Sequence, residues 1–346
     1  MNKNFWQEQM KLHDKLCFLA PMDGYGDSAY RQSMKRIAPH IYCISEFYSA
    51  DGLIHSKFLA DSVLPHQEIE KPLIIQIFGK QPENFVKSAK IIEKFGVAGI
   101  DINMGCPAKK VVRSGHGSSL LINEQTAFDI VKALDESTNL PISVKTRLSF
   151  DGNQDLIKFA QGLQKAGAKL VTIHGRTAKQ AYTGSADFTN IYELQRNLDI
   201  PVICNGDVQH FDDGMSKVQN LAGFMIGRRS FGNPWCFLGQ EHFEREPWKQ
   251  HGIGFSNGIY HPTLGEMLEG MEFHAAELVK TKGERKGSLE IRKHLVQYIK
   301  SFPGVKEYRK RLVTTESIEQ TSETIAEMRV RFQSDLLKRP GFGEIE

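Results

Sequence analysis

Short runs of apolar, often β-branched residues recur along the first two-thirds of the chain. They are LCFLAP (16–21), IYCISE (41–46), PLIIQIFG (72–79), GIDINMG (99–105), ISVKTRL (142–148), LVTIHGR (170–176), PVICNGD (201–207) and GFMIGR (223–228). These eight runs predict eight strands. In the gaps, stretches such as 82–96, 123–137 and 153–167 place apolar residues three and four apart, the spacing of one helix face. Pro82 stands where a first helical turn tolerates it, and Gly96 and Gly167 follow last turns. Strands this apolar, separated by helices, predict a parallel sheet covered on both faces. Eight such units in about 230 residues match a closed (β/α)8 TIM barrel. An open doubly wound sheet would carry a G-x-G-x-x-G turn after its first strand, and none follows here.

After Gly232 the texture changes. An irregular stretch rich in Gly and aromatics leads to helical patterns at 263–281, 287–301, 304–313 and 316–337, punctuated by Gly283, Gly287 and the Pro303–Gly304 pair. The expected architecture is therefore α/β, a TIM barrel over 1–249 followed by a small all-helical domain over 250–346. The length of 346 residues agrees, because it exceeds what one core usually organises.

Composition narrows the class. The N-terminal MNKNFWQEQMKLHDKL is polar where a signal peptide needs an apolar core, and no run approaches membrane-spanning length, so a cytoplasmic protein without a membrane partner is expected. Five scattered cysteines without a C-x-x-C pair argue against a disulfide framework and a zinc knuckle, leaving reduced thiols and no metal site. The net charge of +3 is unevenly spread. From Lys280 to Arg311 eleven Lys or Arg stand against three Glu, a local balance of +8 that leaves the rest of the chain at −5. Such a run is either a solvated helical face or the footprint of a polyanionic partner such as nucleic acid.

Chemistry in a barrel gathers where the strands end, because the loops there vary over a packed core. The strand ends read Pro21, Met22 and Asp23; Gln76; Asn103 and Cys106; Lys145 and Arg147; His174 and Arg176; Asn205, Gly206 and Asp207; Gly227 and Arg228. The "NGD" after the seventh strand and "IGR" after the eighth offer unhindered backbone N–H groups and a cation, the usual phosphate grip of such barrels. Gln76 and Asn103 donate and accept, which suits the edge of a flat heterocycle. Lys145 at a barrel mouth places positive charge where a reduced flavin develops negative charge. Together the set reads as a flavin mononucleotide site.

These residues also carry a family resemblance. LAPMDG (19–24), DINMGCPAKKV (101–111), VKTRL (144–148), TIHGRT (172–177), "NGD", "IGR" and the basic IRKHLVQYI (291–299) resemble the tRNA-dihydrouridine synthases over nearly the whole chain, "NMGCP" being the most specific element. The resemblance implies FMN on a TIM barrel, NADPH (or NADH) as reductant, and reduction of the 5,6 double bond of a D-loop uridine in tRNA. It assigns FMN contacts to Pro21, Met22, Gln76, Lys145, His174, Asn205, Gly206, Asp207, Gly227 and Arg228, with Asp23 beside them. It makes Cys106 the proton donor.

The chemistry agrees. Hydride addition at C6 of uracil leaves charge over C5 and O4, and C5 must then take a proton. A thiol with an unperturbed pKa near 8.5 is protonated at neutral pH yet able to yield that proton. Cys17, Cys43 and Cys204 lie inside strand patterns and read as small buried hydrophobes. Lys109, Lys110 and Arg113 follow the thiol directly, which suits the phosphates flanking an extruded base. Arg147 and Arg176 are candidates for the uracil carbonyls or an adjacent phosphate, or else for rim salt bridges. Arg292, Lys293 and Lys300 are the candidate tRNA contacts of the tail, with Ile291, Leu295 and Ile299 as the stripe packing inward. No protein partner is implied. Two other readings share parts of this pattern: an FMN barrel reducing a free small molecule, as dihydroorotate dehydrogenases do, and a tRNA-binding protein with a silent barrel. The first leaves the cationic loop and basic tail unexplained, the second the flavin set and the thiol.

Overall fold

The computed structural model describes residues 3–243 and 254–339. All eight apolar runs form strands: β1 (Leu16–Leu19), β2 (Tyr42–Ser49), β3 (Leu73–Phe78), β4 (Gly99–Asn103), β5 (Ile142–Arg147), β6 (Leu170–His174), β7 (Val202–Asn205) and β8 (Gly223–Ile226). Each pairs in parallel with its successor, and β8 pairs back onto β1 in the register Leu16↔Gly223 to Leu19↔Ile226, so the sheet closes into a barrel. The helices Pro82–Ile92, Glu124–Ser137 and Leu156–Ala166 fall within the three amphipathic stretches named above. Two short helices that periodicity did not mark, Ala50–His55 and Lys57–Val63, follow β2, each capped by a serine (Ser49, Ser56) that accepts a hydrogen bond from its first turn.

The barrel interior changes character along the strands, and this places the site. Near the strand starts Leu16, Phe18, Tyr42, Ile44, Ile74, Leu170, Ile203 and Met225 form one buried cluster with Trp6. Trp6 comes from the helix Phe5–Leu12, with ring centroids 5.5 Å from Phe18 and 5.7 Å from Tyr42, so it plugs that end of the barrel. Each such buried side chain contributes roughly 1.5–3 kcal/mol by leaving water. Farther along, buried positions turn polar. Gln76, Asp101 and Ser143 are register neighbours on β3, β4 and β5, and Asn103, Lys145 and Thr172 are neighbours one step on. One end is sealed by packing; the other collects polar side chains.

The described residues divide into two compact units. The first is the barrel; the second comprises Asp27–His40, Gln209–Asp213 and the described residues from Arg228 onward. The seam expected at 249/250 lies outside the described residues. Within the second unit the helices Leu264–Lys282, Glu284–Tyr298, Lys306–Leu312 and Ile318–Arg331 take up the four expected helical stretches. The first opens on a reciprocal cap, Glu266 N–H donating to Thr263 Oγ1 at 3.1 Å and Thr263 N–H to Glu266 Oε2 at 2.6 Å. Ile291, Leu295 and Ile299 are all buried, as their spacing requires. The unit is not purely helical. Phe255–Ser256 and Ile259–Tyr260 form a small hairpin around Asn257–Gly258, both at positive φ, a turn that Asn-Gly pairs favour. No helix among the described residues is long and apolar enough to cross a membrane.

Candidate active site

The register of β3, β4 and β5 sets three polar side chains in a row. Asp101 is fully buried and accepts from Ser143 Oγ and from Gln76 Nε2, each at 2.6 Å. Burial pushes its carboxyl up to about 6 against these hydrogen bonds and the nearby Lys145. Gln76 accepts in turn from Asn103 Nδ2 at 2.9 Å, and Asn103 Oδ1 accepts from the backbone N–H of Gly105 (3.2 Å) and Cys106 (3.0 Å). From β5, Lys145 reaches Asn205 Oδ1 on β7 at 3.0 Å. Burial, with Arg147 adding to it, pushes the Lys145 ammonium down to about 8.

Cys106 is half-buried, whereas the other four cysteines are buried. Burial pushes its thiol pKa above the ordinary value and Asp23 adds to this, while an N–H of Ala108 and the cations Arg147 and Lys145 oppose. The thiol therefore stays protonated at neutral pH. Its loop folds back on itself: Ser118 N–H donates to Cys106 O at 3.1 Å. Gly117, at φ +60°, lies so close that a Cβ would stand 2.9 Å from Cys106 O and 3.2 Å from Cys106 Cβ, so only glycine fits there. Arg147 secures the loop from β5, donating through Nε to Gly105 O (2.7 Å) and through Nη1 to Thr177 O (3.0 Å) and Ala181 O (2.8 Å). Its guanidinium also lies 5.6 Å from the ring centroid of Tyr182, which is 58% exposed.

A second group forms where β6 and β7 end. Arg176 is 3% exposed and grips both carboxylate oxygens of Asp207, at 3.0 and 2.7 Å, and the carbonyl of Thr183. Asp207 sits at φ +51°, a left-handed conformation costing a non-glycine residue roughly 1–2 kcal/mol, and the Arg176 fork together with Ala186 N–H at 2.8 Å fixes it there. Gly206 precedes it at φ +113°, and a Cβ would fall 2.9 Å from the His174 ring. Pro21 and Met22 follow β1 half-buried, Asp23 is exposed, and a Cβ at Gly227 would meet Met22 Sδ at 3.9 Å. Arg228, next in the chain, is exposed and opens the 3-10 turn Arg228–Ser230.

The barrel thus brings together Gln76, Asn103, Cys106, Lys145 and Asn205, and beside them His174, Arg176, Gly206 and Asp207. Lys109, Lys110 and Arg113 are exposed on the short helix Lys109–Arg113 that follows the thiol. In the second unit Lys300 is exposed and Lys293 half-buried, while Arg292 is half-buried with Nε bonded to Thr315 O at 2.6 Å. Part of the basic run is neutralised: Lys282 bridges Asp27 (2.6 Å) and Glu290 (2.5 Å), and Arg311 pairs with Glu327. Sequence reasoning passed over Asp101 and Tyr182. An aspartate inside an apolar strand run was the available signal for the first; nothing in the pattern marked the second.

Comparison with known proteins gives a consistent result. The family profile described as Dihydrouridine synthase (Dus) matches residues 18–335. A probable tRNA-dihydrouridine synthase 1 of Synechocystis sp. is 33% identical over 332 residues, covering 94% of this chain and 90% of its own. The tRNA-dihydrouridine synthase B of Pseudomonas aeruginosa is 31% identical over 296 residues, 84% of this chain and 86% of its own. Among solved structures, an old yellow enzyme homologue from Zymomonas mobilis overlaps 64% of this chain and 86% of its own at 13% identity and a TM-score of 0.49, too distant to bear on chemistry.

Proposed function

The chain belongs to the dihydrouridine synthase family, and from that premise we propose that it is an FMN-dependent tRNA-dihydrouridine synthase that reduces the 5,6 double bond of a D-loop uridine, with NADPH or NADH as reductant. The observation that carries this reading is the pairing, at one barrel mouth, of a thiol kept protonated by burial with the half-buried Lys145 ammonium, whose hydrogen-bond partner Asn205 is neutral.

The residues present fit a flavin. Thr172 Oγ1 is buried beside Lys145 without a hydrogen-bond partner among the described residues, and the Lys145 ammonium is hydrogen-bonded to the neutral Asn205 side chain. On this reading Pro21, Met22, Asp23, Gln76, Lys145, His174, Asn205, Gly206, Asp207, Gly227 and Arg228 hold the cofactor, its phosphate lying at the glycines after β7 and β8. When bound, the flavin supplies to uracil C6 a hydride first taken from the nicotinamide. Cys106 then gives the proton on Sγ to C5, and Asn103 keeps its backbone in place. Arg147 and Arg176 serve the substrate through the loops they secure, Arg147 by holding the Cys106 loop at the Gly105 carbonyl. Lys109, Lys110 and Arg113 take the phosphates on either side of the extruded base. The second unit supplies further tRNA affinity through Arg292, Lys293 and Lys300, and the activity belongs in the cytoplasm with its substrate.

The reading is tested by reducing the purified flavoprotein with NADPH and following flavin absorbance on adding an oxidant. Reoxidation by tRNA, but not by free uracil or orotate, is expected; reoxidation by orotate alone would make it a small-molecule reductase. Lys145 adds a pH dependence. Its ammonium is present below about 8 and is lost as pH rises through that value, so turnover at saturating tRNA falls there, ahead of any limb from Cys106, whose pKa is raised. Lys145→Met should remove that limb and lower the rate at neutral pH; an unchanged profile in the variant would assign the limb elsewhere.

The two tail cations separate in a salt titration. Lys300→Ala should weaken tRNA binding and flatten the plot of log affinity against log salt by about 0.9, leaving the melting temperature alone. Arg292→Ala should also lower the melting temperature, because it removes a hydrogen bond to Thr315 O worth about 1 kcal/mol. Identical salt slopes for Lys300→Ala and wild type would take Lys300 out of the interface.

A further inference from the structure

Asp101, Gln76 and Asn103 form a chain of hydrogen bonds whose polarity runs one way. A carboxylate only accepts, so Gln76 must turn its Nε2 toward Asp101 and its Oε1 away. Oε1 then accepts from Asn103 Nδ2, which turns Asn103 Oδ1 toward the N–H groups of Gly105 and Cys106. The far end is donor-only, as a backbone N–H must be. Each amide has two possible orientations, and only one satisfies both ends. Flipping either would face donor with donor and acceptor with acceptor.

We propose that Asp101 is a positioning residue for the Cys106 thiol, acting through the orientation of Gln76 and Asn103. The inference rests on the reading of Cys106 as proton donor and extends it two residues into the barrel. The ionised carboxyl is costly where it stands. A folded-state pKa raised to about 6 means that its contribution to stability is fully present below the unfolded value and is lost as pH rises through 6. A carboxylate accepts from Gln76 Nε2 and Ser143 Oγ at once, whereas an asparagine accepts from one and must donate to the other.

The experiment uses the full chain and two readouts. The first is the limiting rate constant for alkylation of Cys106 by iodoacetamide at high pH, which reports access to the thiolate apart from its pKa; the other four cysteines are buried. The second is kcat and KM for tRNA. Asp101→Asn is expected to raise the alkylation rate by roughly two- to tenfold, the equivalent of one hydrogen bond released. It should lower kcat with KM for tRNA unchanged. Adding Gln76→Glu restores an acceptor-only group, which takes hydrogen bonds from the introduced side-chain amide and from Asn103 and returns the alkylation rate toward wild type; kcat is not used for this variant, because Gln76 also belongs to the cofactor set. Asn103→Ala cuts the last link while leaving the Asp101 charge intact, and should match Asp101→Asn without rescue by Gln76→Glu. Wild-type alkylation in Asp101→Asn, or in Asn103→Ala, would overturn the proposal, as would a folded double variant whose alkylation rate is not rescued. Alkylation needs no turnover, so it decides the relay by itself, whereas absence of dihydrouridine from wild-type reactions would refute the functional reading alone.

Discussion

A Cys106→Ala variant is expected to keep its flavin and lose uridine reduction by a factor of about 10² to 10⁴, the usual cost of removing a general acid. Cofactor retention follows from how the loop is held. Asn103 caps it through the main-chain N–H groups of Gly105 and Cys106, Arg147 binds the Gly105 carbonyl, and Ser118 binds the Cys106 carbonyl. None of these uses Sγ, so alanine leaves the backbone where it is. The turns after β7 and β8, which hold the phosphate on this account, do not involve the thiol. Flavin absorbance and single-turnover reduction of tRNA measure the two effects separately. Turnover within a few-fold of wild type would mean that C5 takes its proton from another group.

Arg176→Met is expected to have the largest effect on the barrel itself, lowering stability by about 2–3 kcal/mol and releasing the flavin. Removing one partner of a buried ion pair costs about 3–5 kcal/mol because the other charge is left behind; Asp207 is 36% exposed, so the lower figure applies. The loss falls on the turn proposed to hold the phosphate, since the Arg176 fork fixes Asp207 in a left-handed conformation directly after Gly206. A drop in melting temperature of about 5–10 °C accompanies that energy in a domain of this size. Arg176→Lys keeps the charge but not the two parallel bonds, and should fall between. Differential scanning calorimetry with flavin quantitation checks both; an unchanged melting temperature with full flavin content would show that the turn stands without the pair.

Much of this was readable in the sequence because the barrel is written in short-range terms. Runs such as LCFL and GFMI are apolar on both faces, as strands covered on both sides must be, and the last residues of such runs are necessarily at the barrel mouth. Cys106, Lys145 and Asn205 could therefore be grouped without coordinates. What stayed hidden depends on pairing across strands. Asp101 looked like one polar residue in a strand, and only the register Gln76↔Asp101↔Ser143 shows it heading a chain of hydrogen bonds. Arg147 and Arg176 were read as candidates for the substrate or else for rim salt bridges, and the choice depends on partners 30 to 42 residues away for Arg147 and up to 31 for Arg176, much of their hydrogen-bonding going to loop carbonyls and to Asp207. Arg292 shares a helix face with Lys300 by spacing, but a carbonyl 23 residues later claims its Nε. The hairpin at Asn257–Gly258 is a different case: its Asn-Gly pair was in plain view and was read as part of an irregular connection.

The measurement that tests the central claim most directly is nucleoside analysis of unmodified tRNA incubated with the purified, flavin-loaded protein and NADPH. The account predicts dihydrouridine, a gain of two hydrogen atoms on uridine, mapping to the D-loop, and none with Cys106→Ala within the same time. A protein that holds flavin and binds tRNA but leaves every uridine unreduced would contradict it.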